Sequence, residues 1–410
     1  MSAHRSCASA AAPRYSYLMK PIISNAELKA FCDQLTNAPF IAVDTEFMRE
    51  TTYWPKLCLI QVAGEAAEAV IDPLAEGLDL APLLALFADP KIEKVFHAAR
   101  QDVEIFNNLG VIPRPLFDTQ VAAMAAGFGE QIAYDALVRQ MLKIDLDKSS
   151  RFTDWARRPL SEAQLVYALA DVTHLAALYP MLRDRLDKAG RLPWVKEEMA
   201  ALTDPALYDT DPENAWKRLK PKKSATKYLA VLQSVAAWRE RTAQQRDQPR
   251  GRILKDDAID EIATQAPVDA DGLNRLRAVP KGFAGSRFGP DLLDAVKAAL
   301  KDPEAFAPSI ARTTHSGGQT QASGAIVELL KVLLKARAED SGVAAKLIAT
   351  VSDLEKIAGD DNADSQALQG WRREAFGEDA LRLKRGELAL VLDGARVRVV
   401  EVRRSPKAAE

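Results

Sequence analysis

Between Ile22 and about Gly190 the apolar positions switch repeatedly between strand-like alternation and helical spacing. Phe40–Asp44, Leu57–Ala63 and Glu68–Asp72 are short apolar runs in close succession, which predicts three strands pairing as antiparallel neighbours. Lys94–His97 is a fourth short apolar run. Helical spacing occupies Ala26–Leu35, Leu80–Phe87, Asp102–Leu109, Thr119–Ala126 and Ser161–Asp187. The last of these opens with Ser161 and Gln164, the spacing of a capping box. Strands that cluster first and then alternate with helices predict a mixed sheet flanked by helices.

Past Gly190 the strand signals nearly vanish, and helical runs follow one another between breaks containing Pro and Gly. The stretch 307–324, rich in Ser, Thr, Gly and Gln, reads as a linker. On either side of it an apolar pattern recurs at an offset of 95 positions: Ile259, Ile262 and Ala263 correspond to Leu354, Ile357 and Ala358, and Leu273 and Leu276 to Leu368 and Trp371. A constant offset over two blocks predicts two copies of one small helical domain. Leu388–Asp393 and Val397–Val402 flank Asp393-Gly394, a turn that closes a terminal hairpin. The expected organisation is an α/β domain over 19–211, helical domains over 212–306 and 325–405, and the linker 307–324 between them. Residues 1–18 hold His4, Arg5 and Arg14 and no acid, and lack the apolar core of a secretory signal. They are expected to be a disordered tail, or to precede a true start at Met19.

Composition narrows the class. A chain of 410 residues, 48% hydrophobic and 27% charged, fits two or three soluble globular domains. Cys7, Cys32 and Cys58 form no CxxC pair and the four histidines are scattered, so neither a zinc site nor a disulfide framework is predicted, and a reducing compartment fits. No uninterrupted apolar stretch is long enough to span a bilayer, and no membrane partner is expected. The net charge of −2 conceals an asymmetry: 214–252 carries eleven basic residues against Glu240 and Asp247, a net of +9. Such a focus suits a phosphate backbone, with Lys220, Lys222, Lys223 and Lys227 as candidate contacts. The interleaved Trp216, Tyr228 and Trp238 are expected in the core.

Four acids and a tyrosine carry the chemistry. Asp44 and Glu46 stand two apart on a predicted strand and share a face; Tyr167 and Asp171 share a helical face at i and i+4. Asp102 opens a third element. Hard divalent cations take oxygen ligands, and two of them a few Å apart clamp an in-line phosphoryl displacement. Any one of these acids alone is an ordinary surface or helix-start residue; converged, they describe a metal-dependent nuclease.

In this order and setting the five residues resemble the three motifs of the DEDD superfamily of 3′→5′ exonucleases. Val43-Asp44-Thr45-Glu46-Phe47, followed by Tyr53-Trp54-Pro55-Lys56-Leu57-Cys58-Leu59-Ile60-Gln61, is similar to the first motif of the ribonuclease D family. So are Leu146-Asp147-Lys148-Ser149, Thr153-Asp154-Trp155 with Arg158-Pro159-Leu160, and Gln164–Val172. The helical repeat is similar to the helicase-and-RNase-D C-terminal (HRDC) domain, and the resemblance covers roughly residues 20–405. It implies an RNase H-like α/β exonuclease domain followed by two all-α HRDC-like domains. Tyr167, four residues before Asp171, marks the tyrosine branch; the histidine branch would need His where Val166 stands.

The resemblance further implies two divalent metal ions, Mg²⁺ or Mn²⁺. Asp44, Glu46 and Asp171 would hold the one that activates water, and Asp44 would reach a second supported by Asp102. Tyr167 would orient the water, and act as a base only secondarily. The implied partner is RNA with a free 3′ end, transfer RNA precursors being the family's usual substrate, and the implied enzyme is a cytoplasmic monomer. Phe47 and Met48 are candidate stacking surfaces for the terminal base; Gln101 and Arg100 are candidate phosphate contacts; Asp118 reads as a helix N-cap. His97 and His174 receive no proton-transfer role. A DNA exonuclease of the same superfamily is the nearest rival, although no GxxxxGK[ST] loop is present. A non-catalytic RNA-binding protein is the other, against which all five positions being intact argues.

Overall fold

In the computed structural model the described residues are 20–308 and 324–402. The expected tail 1–18, and the expected linker 307–324 apart from its ends, lie outside them. The short apolar runs become Phe40–Met48 (β1), Lys56–Ala63 (β2), Glu68–Ile71 (β3), Glu93–Phe96 (β4) and Leu116–Asp118 (β5), in the order β3-β2-β1-β4-β5. β1 and β2, and β2 and β3, pair antiparallel as expected; β1 with β4, and β4 with β5, pair parallel, giving a mixed sheet. β1 runs four residues beyond its apolar stretch, because its polar positions face a cavity and not solvent. Opposite the Glu46–Phe47 step the register slips, Glu46 pairing with Leu59 and Phe47 with Leu57, so that Cys58 is an extra residue on β2. Such a bulge frees a carbonyl from the ladder. Here Arg158 Nη2 takes up the Cys58 carbonyl at 2.7 Å.

Around the sheet lie Asn25–Leu35 (α1), Ala81–Ala88 (α2), Arg100–Asn108 (α3), Thr119–Ala125 (α4), Tyr134–Leu142 (α5), Glu162–Lys188 (α6) and Leu192–Leu202 (α7). The capping box of Ser161 and Gln164 opens α6. Leu165, Ala168, Leu169, Val172, Leu175 and Leu182, spaced three and four apart, form the buried seam of α6, which lies against β1, β2 and β3. That helix is long and apolar enough by length and composition to cross a membrane, but its seam is spent on the sheet. Two elements escape the sequence pattern. β5 has three residues, too few to show a period, and α5 has nine, of which only Leu137 and Val138 are buried.

The helical half comprises Thr226–Gln245 (α8), Arg250–Ile253 (α9), Asp256–Gln265 (α10), Ala270–Asn274 (α11), Gly289–Lys301 (α12) and Pro303–Phe306 (α13), then Gly324–Ser341 (α14), Ala345–Ile348 (α15) and Val351–Gly359 (α16). α9 and α15 start at Arg250 and Ala345, and α10 and α16 at Asp256 and Val351: the 95-residue offset recurs in the fold. Ile259, Ile262, Ala263 and Leu273 are buried in the first copy, and Leu354, Ile357, Ala358 and Trp371 in the second. The chain closes with a hairpin, Leu388–Asp393 (β6) and Arg396–Glu401 (β7), turning at Gly394 with φ +60°.

The two copies meet the α/β domain differently. The first has its own core, and grips the β1–β2 loop: Tyr53 donates to the fully buried Glu240, Arg250 Nη2 donates to the Tyr53 hydroxyl at 2.7 Å, and Asp247 accepts from the Tyr53 and Trp54 amides at 3.0 and 2.9 Å. The second shares one continuous core with the sheet domain. Trp194 on α7 stacks on Trp371 with centroids 4.5 Å apart, and the Ala344 amide donates to the Met124 carbonyl at 3.0 Å.

Candidate active site

The strand period places Asp44 and Glu46 on one side of β1, and the seating of α6 by its apolar seam leaves Tyr167 and Asp171 facing them across a cavity of about 560 Å³. One carboxylate oxygen from each of Asp44, Glu46 and Asp171 lies within 4.8 Å of the others. Asp102 stands beside this triangle and outside it: it is 7% exposed, and Thr45, the residue between the two β1 acids, donates its hydroxyl to it.

A bracket at the β4–α3 turn sets the position of Asp102. Ala98 adopts a left-handed backbone, φ +60°, which points two amides at one acceptor. Asp118 Oδ1 accepts from the Ala98 amide at 3.0 Å and Oδ2 from Ala99 at 2.8 Å, while Oδ1 also caps α4 through Gln120 at 2.8 Å and Val121 at 3.4 Å. Asp118 is the N-cap that the sequence predicts, and it also fixes the entry to α3 (which the sequence does not reveal). His97 in the same turn lies between the Thr119 hydroxyl at 3.0 Å and the Ile132 carbonyl at 3.2 Å, and burial lowers its pKa, keeping it neutral.

Burial and mutual repulsion dominate the electrostatics. Burial, then the charges of Asp44, Asp171 and Asp102, push Glu46 up to about 9; burial pushes Asp171 up to about 7, against the pull of the Tyr167 hydroxyl and Arg151. Asp44 and Asp102 are raised well above the ordinary carboxylate range by burial first, and second by the charge of Asp171 on Asp44 and of Asp44 on Asp102. The Tyr167 phenol is raised by burial and then by Asp171, Glu46 and Asp44. Buried carboxylates this close need a counter-charge to ionise together. A donor set made of carboxylate oxygens alone, without His or Cys, suits a hard divalent cation.

The remaining candidate contacts divide. Phe47 lines the cavity, half-buried. Met48 packs on the sheet core, and Gln101 is exposed on α3; neither lines the cavity. Lys220, Lys222, Lys223 and Lys227 are exposed on the first helical copy, away from the cavity lining. The charge of 214–252 is partly used internally: Arg218 and Arg250 pair with Glu240, Lys222 with Asp260, Arg239 with Asp256 and Arg241 with Glu213. Tyr228 and Trp238 are buried and Trp216 packs beside them, as expected. Sequence reasoning missed Tyr134, whose hydroxyl donates to the Asp171 carbonyl, and the pair Arg151 and Phe152 at the cavity mouth. It quoted Arg158 without a role: its fork meets both oxygens of Asp72 at 2.6 Å, which ties the 147–160 loop to β2 and β3.

Comparison with known proteins identifies the family. Residues 19–187 match the model of a 3′-5′ exonuclease domain, and residues 228–296 that of the HRDC domain. The class is therefore a 3′→5′ exonuclease carrying an HRDC region. Ribonuclease D of Granulibacter bethesdensis is 51% identical over 380 residues, covering 92% of this chain and 96% of its own length. Ribonuclease D of Nitrobacter hamburgensis is 52% identical over 385 residues, covering 93% and 100%. The crystal structure of Escherichia coli RNase D, an exoribonuclease involved in structured RNA processing, aligns with a TM-score of 0.78 at 30% identity, over 90% of this chain and 99% of that one. The chain belongs to the ribonuclease D family of 3′→5′ exoribonucleases.

Proposed function

We propose that this enzyme trims transfer RNA precursors, removing nucleotides one at a time from the 3′ end as 5′-monophosphates. The convergence of Asp44, Glu46 and Asp171 within 4.8 Å, in a cavity wide enough for a nucleotide, carries this reading. Asp44, Glu46 and Asp171 would hold one Mg²⁺ or Mn²⁺ ion, and Asp44 with Asp102 a second. Bound there, such ions supply the counter-charge the acids lack, acidify water and offset charge on the attacked and leaving oxygens.

The chain's own groups then have distinct tasks. Thr45 fixes the Asp102 carboxylate, and the Asp118 bracket fixes the helix that bears it. Burial and the surrounding acids raise the phenol of Tyr167 in the metal-free site, so Tyr167 would orient the attacking water first and act as a base only secondarily. Tyr134 steadies the turn of α6 at Asp171. The exonuclease domain is assigned to 19–211 and the two HRDC-like domains to 212–306 and 325–405, in a cytoplasmic monomer. A precursor with a 3′ trailer, labelled at its last nucleotide, tests the reading: release of labelled 5′-monophosphate supports it, and release of an oligonucleotide contradicts it.

A further inference from the structure

Phe152 is 91% exposed, the most exposed large apolar side chain among the described residues, yet it lines the cavity that holds the catalytic acids. A loose loop does not account for this. The Arg151 amide donates to the Lys148 carbonyl at 3.2 Å and the Thr153 amide to the Ser150 carbonyl at 3.3 Å, with Ser150 itself buried. Lys148 pairs with Asp135 at 2.6 Å on the first side; on the other, the Thr153 hydroxyl accepts from Gln164 at 3.0 Å, Trp155 is buried and Arg158 is held by Asp72. Both flanks are anchored, and the anchored backbone projects one aromatic ring into the cavity mouth. The Arg151 guanidinium lies over that ring, 5.2 Å from its centroid, leaving the opposite face open. Arg151 is also the cation that opposes the raised pKa values of Glu46, Tyr167 and Asp171, so it stands within electrostatic reach of the reacting centre.

An open aromatic face suits any nucleobase, and a planar guanidinium suits a phosphodiester oxygen pair. We propose that Arg151 and Phe152 form a nucleotide subsite at the cavity mouth, Phe152 stacking on a base near the RNA 3′ end and Arg151 holding the adjoining phosphate. The proposal rests on the cavity being the exonuclease site. Because stacking reads a face and not an edge, the subsite gives grip without sequence preference. A protein partner could also cover an exposed ring, but the shared cavity and the cation beside it favour RNA.

The test measures binding of fluorescent single-stranded RNA to full-length protein in the Asp44→Asn background, with Mg²⁺. Two otherwise matched oligomers are used, one intact and one abasic at its last three positions. Phe152→Ala should weaken binding of the intact oligomer by about 10- to 100-fold and leave the abasic one unchanged, while Phe152→Tyr restores it. Arg151→Ala should lower the slope of log affinity against log salt by about 0.7, one phosphate on a single strand, and Arg151→Lys should keep it. Equal weakening on both oligomers, or none on either, overturns the base contact, and an unchanged salt slope overturns the phosphate contact. Wild-type trimming of RNA is measured alongside. If it is normal while these selective losses are absent, the subsite fails and the exonuclease reading stands.

Discussion

Removing the Asp118 carboxylate separates a local reading of that residue from a structural one. As a helix N-cap alone, Asp118→Ala should cost about 1 kcal/mol, within the range of 0.5–2 for cap removal. The structure adds two bonds, from the Ala98 amide at 3.0 Å and the buried Ala99 amide at 2.8 Å. Asp118 is 2% exposed and Ala99 fully buried, so water does not readily replace the lost acceptor. Leaving the one buried donor, the Ala99 amide, unsatisfied costs about 1–3 kcal/mol, so with the cap the whole bracket is worth about 2–4 kcal/mol. Ser161→Ala, which removes an exposed cap on α6, is the internal control at about 1 kcal/mol. Urea unfolding followed by tryptophan fluorescence compares the two variants, and RNA trimming under conditions where both remain folded gives the functional consequence. Asp118→Ala should also lower kcat by at least 10-fold, since a displacement of about 1 Å at Asp102 suffices for such losses. A stability loss equal to that of Ser161→Ala, with kcat unchanged, would refute the bracket.

Three further outcomes are expected. Tyr167→Phe should slow trimming by about 10²–10⁴-fold with metal affinity retained; loss of metal binding by calorimetry would make the tyrosine a structural prop. Lys220→Ala with Lys227→Ala should lower the salt slope of RNA affinity by about 1.4, two phosphates on a single strand, and an unchanged slope would mean that these exposed lysines face only solvent. In metal-free protein Glu46 sits at about 9 against an ordinary value of 4.5, so the folded chain retains a proton that the unfolded chain has released. Stability contributed by that group is therefore lost as pH rises through this window; chelated protein should melt lower at pH 8 than at pH 6 and Mg²⁺ should close the gap, whereas equal melting with and without Mg²⁺ at pH 8 would count against the cation site.

The parts legible in the sequence were those written in short periods and local caps. β1 to β4, the seam of α6 and the Ser161 capping box depend on residues close together in the chain, and the 95-residue repeat on one local apolar spacing occurring twice. The shared face within each pair was legible too, Asp44 with Glu46 from a strand period of two and Tyr167 with Asp171 from a helical i, i+4 spacing. That Asp44, Glu46 and Asp171 meet, with Asp102 outside their triangle, is tertiary. What the sequence hid is tertiary. β5 is a strand only because β4 offers it a parallel edge, and Asp118 bonds across 20 residues to the Ala98 amide. Glu240 and Asp247 looked like two acids lost in a basic run, yet they hold Arg218, Arg250, Tyr53 and Trp54, so the run offers fewer free cations than its composition suggested. Phe152 lies between the two motif stretches Leu146–Ser149 and Thr153–Trp155, and nothing local signalled that its ring would be left outside.

If the carboxylates on β1 and α6 direct hydrolysis of RNA from its 3′ end, replacing one of them abolishes release of the terminal nucleotide. The direct measurement offers wild-type and Asp44→Asn proteins, each supplied with Mg²⁺, matched single-stranded RNA and DNA labelled at the 3′ terminal nucleotide. Wild type should release the label from RNA as a mononucleotide, with DNA cleaved more slowly, and Asp44→Asn should release none while binding RNA and unfolding like wild type. Near-normal release by a verified Asp44→Asn protein, or faster release from DNA than from RNA, would contradict it.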